Sequence, residues 1–330
     1  MRATLILFTS IILISCQRNQ SKSDSNPDSF VIPYPTGDSI NYIQVGNSSR
    51  KYLLYRPSNL NTPRALVIAL HGGGGQGIGV ANPGQHPLSV YRSVADDKEF
   101  ILVYPEGSLD IQGNPGWNDC RSDAPSGSSG DDLSFLGDLI SKLQAELRVL
   151  PSNTYVVGTS NGAVMTFAYA FHYPSTIKAI AVSSANLPAL PKTGACTSGP
   201  NIPIPIMMTF GTADPAMPVN GGCVANIGGN CNRGTVISQQ NTLAFWLVLN
   251  GLSGTNPVQT TINVNSTDQG VAEKNFYAGP HPVIHFKLHG AGHPVPSKTV
   301  NTDYSPSSGY QNRDIEFADE TWNFFESLNE

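Results

Sequence analysis

Five residues, Gly158-Thr159-Ser160-Asn161-Gly162, constrain the fold of this chain more than any other stretch. They follow a short β-branched run at 154–157 and precede a helical run at 163–172, so the local pattern is strand, tight turn and helix. A serine at the apex of such a turn needs glycine neighbours, because Cβ atoms on either side would collide and the backbone is strained. The pattern G-x-S-x-G in this setting predicts a reactive serine at position 160.

Strand-like and helix-like segments alternate through the rest of the chain. Apolar runs such as 64–70 and 100–104 are nearly continuous, which is typical of strands buried on both faces of a parallel sheet. The spacing of apolar residues predicts a long helix over 131–150. We therefore predict an α/β fold with one mostly parallel sheet and helices on both faces, whose functional loops lie at the carboxyl ends of strands. The other predicted elements are an opening hairpin at 40–45 and 51–56, strands at 177–182, 204–210, 258–264, 271–277 and 282–288, and helices at 87–98, 236–250 and 315–328.

Charge and the N-terminal segment bear on where the protein works. Charged residues make up 13% of the chain, the net charge is −5, and Lys and Arg do not cluster, which argues against nucleic acid as a partner. Residues 3–14 form an apolar run too short to span a bilayer, and it ends in Leu-Ile-Ser before Cys16. This resembles a bacterial lipobox and predicts lipidation of Cys16 and anchoring to the cell envelope, with ordinary secretion as the alternative. We predict a lipoprotein signal peptide at 1–15, a flexible tether at 16–38 and one α/β domain at 39–330.

Four further cysteines remain, an even number that suggests two disulfides in an exported protein. Three pairings are possible. Cys223 and Cys231 enclose a loop rich in Gly and Asn and are the favoured pair, which leaves Cys120 with Cys196. The absence of a C-x-x-C motif, and of histidines at ligand spacing beside these residues, argues against a metal site.

A serine nucleophile needs a histidine base and a carboxylate that orients the imidazole. In the fold that carries this turn the chain order is Ser, acid, His. Only three acidic residues lie between Ser160 and the last histidine, namely Asp214, Asp268 and Glu273. Asp268 lies in a polar turn and Glu273 inside a predicted edge strand, whereas Asp214 follows a buried strand at its carboxyl end. We therefore predict Asp214 as the acid.

Four histidines recur at every fourth position near the end of the chain: His281, His285, His289 and His293. On a helix they would form a metal-binding stripe, but Pro282 and the alternation of apolar residues indicate a strand. His285 and His289 are then ordinary residues on the more polar face of that strand. His293 follows the strand in a glycine-flanked loop, and we predict it as the base.

Negative charge that develops on a substrate oxygen needs backbone N–H donors. One donor should be the amide of Asn161, which follows the predicted nucleophile. The other should come from the glycine run 72–75, from either Gly73 or Gly74. A phosphate-binding loop is disfavoured because no G-K-[ST] follows this run.

Several motifs occur in one order that resembles the polyhydroxybutyrate depolymerase and feruloyl esterase family of secreted serine esterases. They are His71-Gly72-Gly73-Gly74-Gly75, Tyr104-Pro105-Glu106-Gly107, Trp117-Asn118, Asp131-Asp132-Leu133-Ser134-Phe135, the Ser160 turn, Gly211-Thr212-Ala213-Asp214 and Gly290-Ala291-Gly292-His293. The resemblance covers roughly residues 48–295. It implies an α/β-hydrolase that cleaves carboxylic esters through an acyl-serine intermediate, without metal or organic cofactor.

Two departures from the family pattern leave the substrate open. Pro294-Val295-Pro296 stands where relatives have an aromatic residue, and Pro218-Val219-Asn220-Gly221-Gly222 replaces a Pro-Tyr-x-Gly-Gly stretch. Trp117 could stack on a substrate ring or simply pack. We expect a monomer that acts on feruloyl, acetyl or short hydroxyalkanoate esters, linked to polysaccharide or polyester. A serine peptidase and a non-catalytic binding lipoprotein are the alternatives.

Overall fold

Strands and helices alternate in the computed structural model, which describes residues 30–125, 127–192, 202–225, 230–265 and 270–329. The strands are β1 Gly37–Val45, β2 Ser48–Arg56, β3 Leu66–Leu70, β4 Ile101–Pro105, β5 Ser108–Leu109, β6 Pro115–Gly116, β7 Thr154–Thr159, β8 Ala179–Ser183, β9 Ile206–Gly211, β10 Gly222–Cys223, β11 Thr235–Val236, β12 Val258–Ile262, β13 Val271–Tyr277 and β14 Val283–His289. The helices are α1 Gly77–Ala81, α2 Tyr91–Lys98, α3 Asp132–Leu147, α4 Asn161–His172, α5 Gln239–Leu249 and α6 Phe317–Ser327.

Ten strands form one sheet in the order β1-β2-β4-β3-β7-β8-β9-β14-β13-β12. The six strands from β4 to β14 in this order are parallel, and an antiparallel pair flanks them on each side. This confirms the predicted mostly parallel sheet and the opening hairpin. Because parallel strands end at the same edge, the loops after β3, β7, β9 and β14 meet there.

The central strands are apolar throughout because both faces of the sheet are covered. Strand β3 is buried at every position, and alternate residues such as Val67 contribute to the core on one face. On that face α6 packs Trp322 against Phe100, with ring centroids 4.4 Å apart. Elsewhere α4 and α5 bring Phe167 and Trp246 together at 5.6 Å. The sheet is therefore fixed from both sides and holds its loops at defined positions.

Some element boundaries differ from the predicted ones for local reasons. The segment predicted as one helix at 87–98 begins with a 3₁₀ turn over Pro87–Val90 before α2. The helix predicted from residue 236 begins at Gln239, because the Ser238 hydroxyl caps it by accepting the amide of Asn241. Strand β13, which carries Glu273, is not the edge strand, since β12 lies outside it.

The folded unit begins at Ile32, earlier than the boundary predicted at residue 39. Ile32 and Tyr34 are buried, and the Tyr34 hydroxyl donates to Glu146 at 2.5 Å. The proposed leader and Cys16 lie outside the described residues, so those boundaries stay predictions. Within the ranges described here, no helix is long and apolar enough to cross a membrane.

Candidate active site

The turn between β7 and α4 is tight enough to require glycine at positions 158 and 162. Ser160 lies at its apex with φ 53° and ψ −121°, a strained backbone for a residue with a side chain. A Cβ on Gly158 would lie 2.4 Å from the carbonyl oxygen of Gly162, and one on Gly162 would lie 2.3 Å from that of His71. The turn therefore excludes larger residues at both glycines and leaves the Ser160 side chain partly exposed at the carboxyl edge of the sheet.

Three side chains predicted from different loops come together at this turn. The Nε2 atom of His293 lies 2.9 Å from Oγ of Ser160, and its Nδ1 lies 2.8 Å from Oδ2 of Asp214. The Asp214 side chain is only 2% exposed, while that of His293 is 21% exposed. With Nδ1–H donating to the buried carboxylate, the lone pair of Nε2 faces the Ser160 hydroxyl.

The other oxygen of Asp214 is also fixed. Oδ1 accepts the backbone amides of Ala216 and Met217, each at 2.8 Å. A carboxylate with both oxygens bonded cannot rotate away from the imidazole without losing these bonds. The loop after β9 therefore holds the acid in the orientation that the histidine needs.

The remaining candidate acids and histidines do not join this group. Glu273 pairs with His289 through an oxygen and Nε2 3.1 Å apart on neighbouring strands, and Asp268 lies outside the described residues. His285 is not on a polar face as predicted. It is 7% exposed and stacks on Phe210, with ring centroids 4.8 Å apart.

The main chain of His293 is held at both ends, which the sequence did not predict. Its N–H donates to the carbonyl of Ser308 at 2.6 Å, and its carbonyl accepts the Ser184 hydroxyl at 2.8 Å. The preceding amide of Gly292 donates to the carbonyl of Tyr310 at 2.6 Å. We call the segment 290–311 the histidine side of the site. Most of the hydrogen bonds that hold His293 in this segment join backbone groups.

The opposite wall, formed by 71–75 and 105–121, is called the glycine-loop side. Of the two glycines predicted as alternative oxyanion donors, Gly74 donates its amide to the carbonyl of Pro115 at 2.8 Å and is occupied. The Gly73 amide has no hydrogen-bond partner among the residues that the structure describes. A Cβ on Gly73 would lie 3.5 Å from that of Asn161, so the two predicted donor residues are adjacent. This geometry favours Gly73 and argues against Gly74.

His71 holds the glycine loop through both ring nitrogens. Nδ1 lies 2.8 Å from the Gly72 carbonyl, and Nε2 accepts the Gly107 amide at 2.9 Å. Burial lowers the pKa of His71 to about 4, so the ring is neutral and Nε2 remains an acceptor at neutral pH. This histidine is a structural bridge between the loops after β3 and β4.

Trp117 does not present its ring to a substrate, contrary to one prediction. Its side chain is 1% exposed, its Nε1–H donates to the carbonyl of His71 at 2.8 Å, and the two rings lie 5.0 Å apart. The apolar ring is removed from water, and its only hydrogen-bond donor is satisfied inside the protein, so the indole is stable in this buried position. Trp117 therefore packs behind the glycine loop.

The side chain of Asn161 ties the glycine-loop side to the turn at residues 158–162, which we call the elbow. Its Oδ1 accepts the Trp117 amide at 2.7 Å, and its Nδ2 donates to the Trp117 carbonyl at 3.0 Å and to Oδ2 of Asp119 at 2.7 Å. Asp119 in turn pairs with Arg121 at 2.6 Å in a buried position. A residue predicted only for its amide thus also fixes the loop through its side chain.

The favoured disulfide between Cys223 and Cys231 is present, with Cα atoms 4.9 Å apart. Cys120 is also disulfide-bonded. Cys196 lies outside the described residues, so the pairing of these two stays a prediction. Disulfides suit a protein that folds in an oxidising compartment.

The parallel sheet, the elbow and the converging loops define an α/β-hydrolase. The family model described as phospholipase/carboxylesterase matches residues 58–226, just over half of the chain. The protein therefore belongs to this family. Its relatives, described next, are named as feruloyl and acetylxylan esterases, so it is a feruloyl esterase-like member.

Curated relatives include an acetylxylan esterase from Coprinopsis cinerea, 31% identical over 186 residues, or 52% of this chain and 46% of the relative. A feruloyl esterase B from Neurospora crassa is 35% identical over 130 residues, 39% of this chain and 42% of the relative. The chain thus spans less than half the length of these two relatives. A feruloyl esterase C from Emericella nidulans is 24% identical over 280 residues, 84% of each chain.

Among solved structures, an acetyl xylan esterase from Aspergillus awamori aligns with a TM-score of 0.56 and 18% identity. The alignment covers 87% of this chain and 99% of that one. At this identity the likeness establishes the fold and not the substrate.

Proposed function

We propose that the protein is a carboxylester hydrolase in which Ser160 is the nucleophile, His293 the general base and Asp214 the orienting acid. The observation that carries this proposal is the His293 ring, bonded on one side to Ser160 and on the other to Asp214. A serine hydroxyl becomes nucleophilic only when a base takes its proton, and a carboxylate keeps that base in the right tautomer.

The reaction proceeds in two halves. Ser160 Oγ attacks the ester carbonyl while Nε2 of His293 takes its proton, and the amides of Gly73 and Asn161 stabilise the negative oxygen. The alcohol leaves with the proton from His293, so that an acyl-serine remains. Water, deprotonated by the same nitrogen, then attacks the acyl carbonyl, and His293 returns the proton to Ser160 Oγ as the acid leaves.

The test compares wild type with Ser160→Ala on para-nitrophenyl acetate and butyrate. Residual catalysis without the serine should reach only the roughly 10³- to 10⁴-fold over water that an oxyanion site and binding supply. Ser93→Ala is a matched control, since this exposed serine bonds only the Val90 carbonyl at the start of α2. Equal turnover by wild type and Ser160→Ala would contradict the proposal.

For the substrate, we propose feruloyl or acetyl esters, with short hydroxyalkanoate esters of the polyhydroxybutyrate type as the third class. The relatives named as feruloyl and acetylxylan esterases support the first two. A panel of methyl ferulate, acetylated xylan, hydroxybutyrate oligomers and a peptide amide ranks them by kcat/KM. Preference for the peptide would favour the peptidase alternative. Absence of turnover on every member would favour a binding lipoprotein.

We further propose that the protein is exported as a monomer and anchored through a lipid on Cys16. The Cys223–Cys231 disulfide supports export. Wild type expressed in bacteria should carry a diacylglyceryl group on Cys16, measured by mass spectrometry, and Cys16→Ala should carry none. An unmodified Cys16 in wild type would contradict the anchor. Light scattering of the soluble form measures the oligomeric state.

A further inference from the structure

A cavity of about 210 Å³ opens directly beside the elbow. Gly73 and Asn161 bound it on the side of the proposed oxyanion donors, and Arg121 and Arg233 contribute its cationic groups. The cavity therefore adjoins the position where an ester carbonyl would bind.

The two arginines differ in how their charges are used. Arg121 is 6% exposed and its guanidinium bonds Asp119 through Nε at 3.1 Å and through Nη2 at 2.6 Å. Its Nη1 donates to the carbonyl of Arg233 at 2.6 Å. The charge of Arg121 is thus compensated within the protein.

Arg233 is exposed, and no carboxylate among the described residues lies within ion-pair distance of it. Its Nη1 lies 3.9 Å from where a Cβ on Gly73 would be, so its donors are close to the glycine loop. Asp110 also lines the cavity, but its Oδ1 accepts the amides of Gln112 and Asn114 at 2.9 and 2.8 Å. Arg233 and Asp110 therefore interact electrostatically across the cavity, but no carboxylate among the described residues forms an ion pair with the guanidinium, whose donors remain available to a ligand.

The backbone around Arg233 is fixed rather than loosely attached. The Arg233 carbonyl is bonded by Arg121, and the next amide, that of Gly234, donates to the carbonyl of Cys231 at 2.9 Å. Gly234 has φ 78°, and the disulfide to Cys223 anchors Cys231, the first residue of this turn. The turn presents the arginine towards the cavity.

We propose that Arg233 binds a carboxylate carried by the ester substrate, so that the site prefers anionic esters to their neutral counterparts. The planar guanidinium can donate two parallel hydrogen bonds to a carboxylate. The inference rests on the proposed esterase function and specifies its substrate. The carboxylate could belong to the acyl part or to the alcohol part, and the test separates these cases.

Two matched pairs of esters measure the preference. For the acyl side, para-nitrophenyl hydrogen glutarate is compared with para-nitrophenyl valerate. For the alcohol side, para-acetoxybenzoate is compared with its methyl ester. In at least one pair, Arg233→Gln should lower the ratio of kcat/KM for the anionic over the neutral ester by about tenfold, the size of one charge-assisted contact.

Arg233→Lys should retain part of the preference, because it keeps the charge but loses the fork geometry. Lys178→Gln is the matched control. It removes a cation just before β8, at the opposite end of the strand from the site, and should leave the ratio unchanged. Raising ionic strength should shrink the wild-type preference. A ratio unchanged by Arg233→Gln in both pairs would overturn the proposal.

A binding experiment decides the inference separately from catalysis. Calorimetric titration of para-acetoxybenzoate and glutarate monomethyl ester into Ser160→Ala, with and without Arg233→Gln, requires no turnover. About tenfold weaker binding of at least one anion in the double variant supports the anion site even if the esterase proposal fails. Equal binding of both anions by the two proteins would overturn the inference even if the enzyme is an active esterase.

Discussion

The glycine-loop side of the site is held together, and joined to the elbow, by hydrogen bonds of side chains, whereas the histidine side is held mainly by main-chain hydrogen bonds. On the first side, His71 and Asn161 together make five of the contacts described above. On the second, His293 and Gly292 bond backbone carbonyls, and Ser184 adds one hydroxyl. Activity should therefore be sensitive to side-chain truncation on the glycine-loop side. On the histidine side it should be sensitive to an added side chain that pushes two backbone segments apart.

The largest effect is expected from Gly292→Ala on the histidine side. An added Cβ would lie 2.1 Å from the Ser308 carbonyl oxygen and 2.6 Å from Cα of Gly309, both backbone atoms. His293 must then shift, and a displacement of about 1 Å costs roughly 10²-fold in rate. Measured kcat/KM on para-nitrophenyl butyrate should fall by that factor in folded protein.

Gly79→Ala is the control for this change, since its Cβ would meet only the Gln76 side chain at 3.8 Å. If Gly292→Ala is as active as Gly79→Ala, close backbone packing does not position the histidine.

Asn161→Ala tests the glycine-loop side while keeping the backbone amide of residue 161. The change leaves the Trp117 amide and the Asp119 carboxylate without this partner, and the free energy of unfolding should fall by about 2 kcal/mol. We expect kcat to fall roughly 30-fold, because the glycine-loop side is no longer held in position next to Ser160. Denaturant unfolding and steady-state kinetics measure the two effects, with Asn323→Ala on the surface of α6 as control. Unchanged kcat would show that the loop is positioned without this side chain.

Two buried histidines, His71 on the glycine-loop side and His285 within β14, should respond differently to removal. At pH 7, His71→Leu leaves the Gly107 amide without its acceptor and should cost about 2 kcal/mol of unfolding free energy. His285→Leu should cost little, since Nε2 of His285 has no partner among the described residues. Urea unfolding of the two variants at pH 7 compares them, and equal losses would contradict the distinction.

The same two histidines predict a loss of stability in acid. Burial lowers the pKa of each to about 4, below the ordinary value of 6.5, so the unfolded chain binds protons that the folded one does not. The contribution of each is complete above pH 6.5 and is lost as pH falls towards 4. Each Leu variant should therefore reduce the drop in unfolding free energy between pH 7 and pH 5 by about 2 kcal/mol. A drop as large as that of wild type would show that these rings take up protons in the folded state.

The smallest effect is expected from Ser184→Ala. The change removes one hydrogen bond to the His293 carbonyl, worth about 1 kcal/mol, while the bond from the His293 amide to Ser308 remains. We expect kcat to fall about fivefold with KM unchanged, and Ser93→Ala, which removes an exposed hydroxyl bonded to the Val90 carbonyl, to be close to wild type. A loss as large as that of Gly292→Ala would mean that the hydroxyl, and not the backbone, positions the histidine.

Most of the fold was predictable because local hydrophobic patterns decide it. The apolar runs of β3 and β4 and the periodicity of α3 mark their elements without tertiary information. The chain order of serine, acid and histidine then reduced the candidates to side chains that do converge in space. Where the element boundaries differ from the predicted ones, they depend on helix caps and 3₁₀ turns, which the pattern of apolar residues does not reveal.

The supports of the site were not predictable, because they join residues that are distant in sequence. Ser184 and His293 are 109 positions apart, and Asn161 reaches Trp117 across 44. The sequence left open whether Trp117 stacks on a substrate ring or packs, and its buried ring lies against His71. The choice between Gly73 and Gly74 likewise depended on Pro115, whose carbonyl takes the Gly74 amide.

The central claim, that Ser160 forms an acyl intermediate, is tested most directly by trapping that intermediate. Enzyme mixed with para-nitrophenyl acetate is quenched in acid within the first turnovers, and the peptide containing Ser160 is analysed by mass spectrometry. We predict that this peptide carries one acetyl group on Ser160 in wild type and none in Ser160→Ala, with little acetylation in His293→Ala. Hydrolysis that proceeds with no acyl group on Ser160, or with the acyl group on another residue, would contradict the account.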